Sequence, residues 1–510
     1  MPQTLHFPEA HELPPPREVT PAQVTAALAA DRRLVVLDDD PTGTQTVADV
    51  PVLTTWTVED LRWALRQDST AFFVLTNTRS LAPDAAAARN REVVRALARA
   101  SAAEGIGYVL ASRGDSTLRG HFPLETDVLA GEVPVDGVVL VPAYIEAGRL
   151  TADSVHWMRT AEGMLPVGRS EFARDATFGY ANSRLPEWIE EKTGGRVAAA
   201  DVLRITLEDL RVRGPEHVAG LLGSLRDGRT AVADALTDDD LRVLALASAT
   251  AEAAGTRLLY RCGPSFVRAR AGQAARAPLT AEELRAGRTT APPTAPAAQA
   301  IPGNPPTPTA PAAPAAPDTP AAPDTPADGP RAAAHGLVAV GSHVGLTTRQ
   351  LERLRERGGI AEFELDVHAL LDERRRAAHI ADVARACARA LDDSEVVVRT
   401  TRAVVTGADA DDSLAIARSV SAALVETVRA ITARRRPAFV VAKGGITSSD
   451  IATEGLEIRR AWARGTLLPG IVSVWEPESG PSVGIPYVVF AGNVGDDSAL
   501  ADAIDLLRSR

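Results

Sequence analysis

Residues 34–43 read LVVLDDDPTG, an apolar run that ends in three aspartates, a proline and a Thr-Gly pair. A short β-branched run bounded by turn residues is typical of a buried strand. Similar runs recur along the chain and alternate with Ala-, Arg- and Leu-rich segments of helical pattern. The predicted strands are 34–40, 71–77, 108–113, 137–143, 230–236 and 257–262, then 337–342, 361–366, 396–401, 438–445 and 487–492. This alternation predicts an α/β fold with two doubly wound, mostly parallel-sheet domains.

A Pro/Ala-rich tract separates the two sets of predicted strands. Residues 291–330 alternate Pro, Ala, Thr and Asp, and they hold 14 of the 36 prolines. Such a segment buries too little apolar surface to offset its ordering entropy, so we expect a flexible linker. A partner-binding PxxP segment is the alternative interpretation of the same tract.

The composition limits the class of protein. A length of 510 residues predicts two or three domains. Lys and Arg number 55 against 66 Asp and Glu, and this net charge of -11 argues against general binding to nucleic acid or to an anionic membrane. Cys262 and Cys387 fall in different predicted domains, so no disulfide framework is expected. No signal peptide or run of ~18 apolar residues is found, and we expect a cytoplasmic protein.

Polar residues collect at the carboxyl ends of the predicted strands, where open α/β sheets bind their ligands. The clusters are 38–43, 77–80, 112–121 and 141–151 in the first half, and 341–343, 399–402, 443–448 and 492–495 in the second. Each domain is therefore expected to carry one polar rim. A cleft between the two rims is the expected site.

Three consecutive aspartates at 38–40 repel one another unless a cation or hydroxyl groups relieve them. A carboxylate here can accept the proton of a substrate hydroxyl or hold Mg²⁺, and a solvated turn is the structural alternative. Arg79 and Arg119 follow neighbouring strands and together can clamp a substrate carboxylate. His121 and His156 lie nearby in the sequence, but an isolated histidine is more often structural. No spacing of ligands predicts a transition-metal site.

Glycine-rich turns follow two strands of the second half. Residues 443–448 read KGGITS, and residues 492–495 read GNVG. Glycines let backbone N–H groups approach a phosphate, and the start of a helix adds hydroxyl groups and a dipole. Lysine occurs only at 192 and 443. We predict that Lys443 lies at the mouth of this phosphate cradle and raises the affinity for ATP, whereas Lys192 has no motif around it.

Several blocks together resemble the four-carbon acid sugar kinase family: VVLDDDPTGTQTV, FFVLTNTRSL, SRGDSTLRGHFPLE, VPAYIEAGRLT, SEFARDATFGY, GSHVGLTTRQL, VVAKGGITSSDIA and IPYVVFAGNVGDDSAL. The resemblance covers roughly 33–272 and 335–508. It implies an N-terminal extension (1–30), a sugar-acid substrate-binding domain (31–285), the Pro/Ala-rich linker (286–334) and a nucleotide-binding domain (335–510). The implied reaction is phosphorylation of a terminal hydroxyl of threonate, erythronate or a 3-oxo-tetronate with ATP and Mg²⁺.

The resemblance also implies roles for individual residues. Asp39 and Asp40 are the expected catalytic residues. Substrate-binding roles are expected for Thr42, Gly43, Asn77, Arg79, Asp115, Ser116 and Arg119. ATP-binding roles are expected for Ser342, Lys443, Gly444, Gly445, Ile446, Thr447, Gly492 and Asn493. No metal site is expected from the protein alone, since Mg²⁺ comes with ATP, and a homodimer is left open.

The chain departs from the family pattern at three places, and two other functions fit parts of the sequence. Thr46, Ile446 and the pair 490–491 differ from the residues that many members carry, which leaves the sugar acid unassigned. A haloacid-dehalogenase-like phosphatase would use Asp38 and Asp40 of a D-x-D-x-T motif. A sugar-acid sensor without catalytic activity is the third hypothesis.

Overall fold

The computed structural model describes residues 5–287, 331–402, 405 and 410–509. The predicted linker falls almost wholly outside these residues. The described strands are β1 (Arg32–Asp38), β2 (Val50–Leu53), β3 (Ala71–Leu75), β4 (Gly107–Arg113), β5 (Gly137–Val141), β6 (Arg149–Ala152), β7 (Val155–Thr160), β8 (Gly163–Pro166), β9 (Leu203–Ile205), β10 (Arg229–Ala233), β11 (Leu258–Cys262), β12 (Leu337–Val340), β13 (Ile360–Leu365), β14 (Glu395–Thr400), β15 (Val440–Lys443), β16 (Arg460–Thr466), β17 (Ser473–Pro477) and β18 (Tyr487–Phe490).

Helices alternate with these strands. The described α-helices are α1 (Pro21–Ala27), α2 (Val58–Leu65), α3 (Pro83–Glu104), α4 (Leu124–Glu132), α5 (Leu185–Lys192), α6 (Pro215–Gly223), α7 (Asp238–Ala253), α8 (Pro264–Arg270), α9 (Ala281–Ala286), α10 (Gly345–Arg357), α11 (Val367–Leu371), α12 (Glu373–Ala390), α13 (Ala410–Thr432), α14 (Gly445–Asp450) and α15 (Ala499–Arg508). Short 3₁₀ turns follow β1 at Pro41–Thr46 and β3 at Thr78–Ser80.

Helices cover both faces of the sheet in each half. Successive residues of β1 point to opposite faces, so Val35 packs in the cluster that contains Leu97 of α3, and Val36 packs in the cluster that contains Leu244 of α7. Burial on both faces explains why these strands are continuous apolar runs. The predicted α/β fold with mostly parallel strands is confirmed.

The two halves share one sheet of 15 strands, in the order β13-β14-β12-β15-β18-β17-β16-β2-β3-β1-β4-β11-β5-β10-β9. The joint is an antiparallel pair of β2 and β16, in which Leu53 lies beside Arg460. The β16–β17 hairpin connects this joint to β18. The sequence analysis did not predict this joint between the halves.

A buried carboxylate forms ion pairs with two arginines across the joint. Asp60 of α2 is 0% exposed, and its carboxylate accepts hydrogen bonds from Arg459 Nη2 at 2.9 Å and Arg460 Nε at 2.7 Å. The hydroxyl groups of Thr55 and Thr57 donate to the same carboxylate. A buried charge is tolerated when its lone pairs are satisfied in this way.

A separate antiparallel sheet of three strands, β6–β7–β8, belongs to the first half. It supports the segment that contains Ser116. His156 of β7 is fully buried, and its Nε2 lies 2.8 Å from the carbonyl oxygen of Ser116. A carbonyl oxygen only accepts, so Nε2 carries the proton and Nδ1 accepts from Thr151 Oγ1 at 2.9 Å.

Candidate functional site

A cleft of about 340 Å³ lies between the two halves, at the carboxyl ends of the parallel strands. It occupies the position that the sequence analysis predicted. Its first-half lining is Asp40, Thr42, Gln45, Arg79, Arg113, Asp115, Ser116, Thr117, Arg119, Tyr144, Ala147, Arg149, Phe172 and Pro264. The second half contributes Gly445, Ile471, Ala491, Gly492, Asn493, Val494 and Gly495.

Two arginines pair with the three aspartates that follow β1. Arg113 of β4 donates from Nε to Asp38, and both side chains are almost fully buried. Arg79 donates from Nε to Asp39 at 3.1 Å and from Nη2 to the same carboxylate at 2.5 Å. Such bidentate pairing fixes the direction of the guanidinium as well as its charge.

Asp40 differs from Asp39 because part of its carboxylate reaches the cleft. Its side chain is 18% exposed, compared with 2% for Asp39. Burial favours the neutral acid, but the charges of Arg79 and Arg113 and hydrogen bonds from Thr42 outweigh it, so the pKa of Asp40 is lowered. Asp40 is therefore an ionised carboxylate at neutral pH, held at 2.8 Å from the backbone N–H of Thr42.

Asp40 also faces the second half of the chain. A Cβ placed on Gly445 would lie 3.5 Å from Asp40 Oδ2. The start of α14 is therefore close to the carboxylate, and the absent side chain of Gly445 leaves space between them. The Asp40 carboxylate of the first half and a glycine turn of the second half thus lie close together across the cleft.

The turn at Pro41–Thr46 requires glycine at its third position. A Cβ on Gly43 would lie 2.2 Å from Asp38 Oδ2 and 2.6 Å from Arg113 Nε. Gly43 therefore acts by leaving space for the buried ion pair, and it does not line the cleft among the described residues. The predicted direct contact of Gly43 with substrate is not supported by this position.

The DSTLRG segment supplies a second acidic group. Arg119 Nε donates to Asp115 Oδ2 at 2.7 Å, and the hydroxyl of Thr117 donates to the same oxygen. Although burial opposes ionisation, Arg79 and Arg119 hold the pKa of Asp115 well below its usual range. Arg119 also lies 3.6 Å from Asp175.

Arg149 is a cleft residue that the sequence analysis did not assign. It begins β6, within the block VPAYIEAGRLT, and lines the cleft beside Asp115 and Ser116. Among the described residues it forms no ion pair, and its Nε is buried without a hydrogen-bond partner. Its place in the cleft depends on where β6 packs, which no local pattern in the sequence predicts.

Three strand ends of the second half converge on Ser342 and Thr447. A Cβ on Gly341 would lie 2.2 Å from Thr447 Oγ1, and one on Gly492 would lie 2.5 Å from Ser342 Oγ. Gly444 has a positive φ of 136°, a conformation that favours glycine. The turns after β12, β15 and β18 therefore approach one another closely, as a cradle for phosphate groups requires.

Lys443 is not at the mouth of this cradle. Its side chain is 0% exposed, its Nζ donates to the carbonyl oxygen of Ala491 at 2.7 Å, and it lies 3.8 Å from the centroid of the Phe490 ring. Burial lowers the pKa of Lys443 to about 7. The expected direct contact with ATP is thus replaced by a contact with the backbone of the Ala491–Gly495 turn. Lys192 donates to the carbonyl oxygen of Gly179 and is not among the described lining residues of the cleft.

Other expected residues occupy supporting positions. Asn77 has a positive φ of 52°, and its N–H donates to the carbonyl oxygen of Asp38 at 3.2 Å. It does not line the cleft among the described residues, and its substrate-binding role stays a prediction. Gly445, Gly492 and Asn493 do line it. The side chain of Ile446 lies outside the part of the chain that the structure describes.

The Pro41–Thr46 turn also holds the two halves together. Thr44 Oγ1 and Ser473 Oγ are 2.9 Å apart, and Trp475 Nε1 donates to Thr44 Oγ1 at 2.9 Å. Gln45 Nε2 donates to the carbonyl oxygen of Ile471 at 2.8 Å. The sequence offered no signal for these contacts, because nothing in the TGTQT segment identifies a partner more than four hundred residues away.

The phosphatase hypothesis requires a carboxylate nucleophile at Asp38 and a lysine beside it. Asp38 is 2% exposed, pairs with Arg113 and is not a lining residue in the described part of the cleft. Lys443 is buried against Ala491. The described geometry gives neither side chain access to a phosphate ester in the cleft.

Two findings concern metals and membranes. In residues 5–287 and the described parts of 331–509, no group of three or more His, Cys, Asp or Glu side chains could hold a metal ion. No helix within the described ranges is long and apolar enough to span a membrane. Both cysteines are buried and free, as expected.

Comparisons with known proteins address the family. The sugar-binding N-terminal domain matches residues 34–270, and the nucleotide-binding C-terminal domain matches residues 337–500. A 3-oxo-tetronate kinase of Methylobacterium radiotolerans is 29% identical over 179 residues, which are 35% of this chain and 40% of that protein. The match therefore spans less than half of the relative.

Solved structures agree with the fold. Haemophilus influenzae protein HI1011 is 18% identical with a TM-score of 0.57, covering 93% of this chain and 100% of its own. A protein of Salmonella typhimurium LT2 is 18% identical with a TM-score of 0.61, covering 93% of this chain and 98% of its own. With both domains matched in order along one chain, the protein belongs to the four-carbon acid sugar kinase family.

Proposed function

We propose that this protein phosphorylates a terminal hydroxyl of a four-carbon sugar acid, of the threonate, erythronate or 3-oxo-tetronate class, with ATP and Mg²⁺. The observation that carries the proposal is the position of Asp40. Its ionised carboxylate reaches the cleft from the first half and faces Gly445 of the second half. A proton acceptor and a phosphate cradle on opposite walls of one cleft are what phosphoryl transfer to a hydroxyl needs.

Asp40 is the group that we assign as proton acceptor. The hydroxyl oxygen of the sugar acid loses its proton to the Asp40 carboxylate as that oxygen bonds to the γ-phosphorus and the bond to ADP breaks. Phosphoryl transfer requires mainly positioning and charge neutralisation, so a base of lowered pKa is sufficient. Asp39 is assigned a positioning role, since its carboxylate holds Arg79 through two hydrogen bonds.

The glycine turns of the second half fit a nucleotide. Space that a Cβ would fill at Gly341, Gly444 and Gly492 lets backbone groups come close to phosphate oxygens. Gly492 and Asn493 line the cleft, Ser342 lies against Gly492, and Thr447 lies against Gly341 and Gly444. When bound, ATP supplies the phosphoryl group, and Mg²⁺ neutralises its charge.

The test measures ADP release from ATP with D-threonate, D-erythronate and a 3-oxo-tetronate as acceptors. Asp40→Asn should lower kcat by ~10²–10⁴ with little change in the KM for ATP. Asp39→Asn should act mainly by releasing Arg79. If both single variants and the double variant keep kcat within a few-fold of wild type, the assignment of the base is wrong.

Two control measurements separate the competing functions. Release of phosphate from p-nitrophenyl phosphate without ATP would support the phosphatase hypothesis and contradict the kinase. Thermal stabilisation by a sugar acid, with no stabilisation by Mg·ATP and no ADP release, would support the sensor hypothesis. We expect stabilisation by both ligands and turnover only when both are present.

A further inference from the structure

The cleft contains four arginines, and three of them are already paired with carboxylates. Arg79 is bound to Asp39, and Arg113 is bound to Asp38. Arg119 is bound to Asp115 at 2.7 Å. A guanidinium that already shares a carboxylate has lost most of its attraction for a second anion, because its charge is neutralised and its fork of donors is in use.

Arg149 is the fourth arginine, and among the described residues it has no carboxylate partner. Its Nη1 donates to the carbonyl oxygen of Ala147. Its Nε is buried without any hydrogen bond. A guanidinium carries five N–H donors. The buried Nε cannot be reached from the cleft, but the side chain is half-buried and lines the cleft, so the terminal nitrogens supply the donors for a ligand there.

The backbone around Arg149 is built to hold it in place. The N–H of Arg149 donates to the carbonyl oxygen of Tyr144 at 2.9 Å, and the N–H of Tyr144 donates back to Arg149 at 3.0 Å. Gly148 between them has a positive φ of 69°, where a Cβ would also lie 2.6 Å from Arg159 Cβ. The closed turn and the following strand β6 therefore fix the backbone position from which the Arg149 side chain extends.

We propose that Arg149 binds the carboxylate of the substrate. This inference rests on the proposed function, and it replaces Arg79 and Arg119 as the expected carboxylate clamp. Asp115 lies close enough for its charge to act on Arg149, so the acid group of the substrate is received beside the DSTLRG segment. Arg149 is then the residue that selects sugar acids over neutral sugar alcohols, which lack the charge that it pairs with.

Calorimetry on the full chain tests the assignment directly. Arg149→Met should weaken binding of D-erythronate and D-threonate about tenfold to a hundredfold, the loss expected for a charge-assisted pair. Binding of Mg·ATP should be unchanged, since Arg149 belongs to the first half. Arg149→Lys should recover part of the acid affinity. Arg159→Met, on an exposed neighbouring strand position, is the matched control and should bind both ligands as wild type does.

Kinetics provide a second measurement that a merely structural role would not move. Arg149→Met should raise the KM for the acid far more than it lowers kcat, and it should reduce the preference for erythronate over erythritol. Equal losses for erythronate and erythritol would overturn the assignment, and so would unchanged acid affinity in Arg149→Met. If Arg149→Met does not fold, full wild-type acid affinity in Arg149→Lys would overturn the assignment, because lysine lacks the two-pronged donor geometry of arginine.

The same measurements distinguish failure of this inference from failure of the proposed function. Wild type that binds a sugar acid through Arg149 but releases no ADP would contradict the kinase proposal and retain the inference. Wild type that releases ADP, with acid affinity that is independent of Arg149, would do the reverse. Absence of binding to wild type by D-threonate, D-erythronate and a 3-oxo-tetronate alike would overturn both.

Discussion

Asp39 and Asp40 are neighbours in the chain, but their carboxylates have different surroundings. Asp39 is enclosed by Arg79, whereas Asp40 caps the Pro41–Thr46 turn and reaches the cleft. The sequence places both at a strand end but cannot rank them, because their ranking depends on which guanidinium reaches which carboxylate. The turn after them, and its glycine, set that geometry.

Gly43→Ala tests whether this turn depends on the absent side chain. The added Cβ would meet the buried Asp38–Arg113 pair, so we expect the free energy of unfolding to fall by ~1–3 kcal/mol, the usual cost of overpacking. Urea denaturation measures it. Gly131→Ala is the control, because a Cβ at that exposed helical position meets nothing within 4 Å and should stabilise by ~0.5–1 kcal/mol. Equal effects of the two variants would contradict the explanation.

Lys443→Met tests the corrected role of the buried lysine. The variant keeps the apolar volume but removes the hydrogen bond to the carbonyl oxygen of Ala491. We expect a higher KM for ATP and a lower free energy of unfolding, because the Ala491–Gly495 turn loses its support. Steady-state kinetics with varied ATP measure the first effect. Lys192→Met also removes a lysine bound to a carbonyl and should leave the ATP kinetics unchanged.

At the scale of elements, the β6–β8 sheet acts as a support for the substrate side of the cleft. Its first residue is Arg149, and its second strand carries His156, which holds the carbonyl of Ser116. Burial lowers the pKa of His156 to about 4, below the 6.5 of an unfolded chain. The neutral imidazole therefore contributes stability above pH 6.5 that is lost as the pH falls toward 4.

We predict that protonation of His156 causes part of the loss of stability at acid pH. Between about pH 7.5 and about pH 5 the wild type should lose ~2 kcal/mol more than His156→Gln, measured by urea denaturation at each pH. A glutamine can still bond Ser116 but does not titrate. His11→Gln, at an exposed position, controls for removal of a histidine as such. Identical pH profiles of wild type and His156→Gln would contradict the role of burial.

The elements that the sequence predicts are those with continuous apolar runs. β1, β3, β4, β5, β10, β11, β12, β13, β14, β15 and β18 all overlap predicted strands, since parallel strands buried on both faces have a strong local signal. Seven described strands were missed: β2, β6, β7, β8, β9, β16 and β17. All of them except β9 form an antiparallel pair, and the stability of such strands depends strongly on the side chains of the partner strand. Residues at the ends of the apolar strands could be predicted in the same way. The cleft position of Arg149 and the burial of Lys443 could not, because they depend on how distant elements pack.

At the scale of the whole molecule, the two halves are joined by paired strands. The β2–β16 pair, the Asp60 ion pair and the Thr44 contacts all cross between them. Backbone pairing of this kind is far more restrictive than a covalent tether. The relative position of the two cleft walls is therefore set by the sheet.

Cutting the chain between the halves tests this conclusion. A specific protease site placed within 288–330 should be cleaved without separation of the products, because the described interface does not involve that segment. Size-exclusion chromatography should show both fragments in one peak, with ADP release retained. Asp60→Ala is expected to weaken the association of the cut halves, because it leaves Arg459 and Arg460 without their shared carboxylate. Separation of the wild-type fragments would contradict the prediction.

The same joint has a consequence for synthesis. Asp60 and its partner Arg460 are 400 residues apart in the chain. At ~5–20 residues per second, the ribosome needs about 20–80 s to deliver β16 after β2 has emerged. During that interval β2 is an open sheet edge, the kind of surface on which nascent chains aggregate. The N-terminal half therefore keeps this open edge until β16, in the last tenth of the protein, has been made.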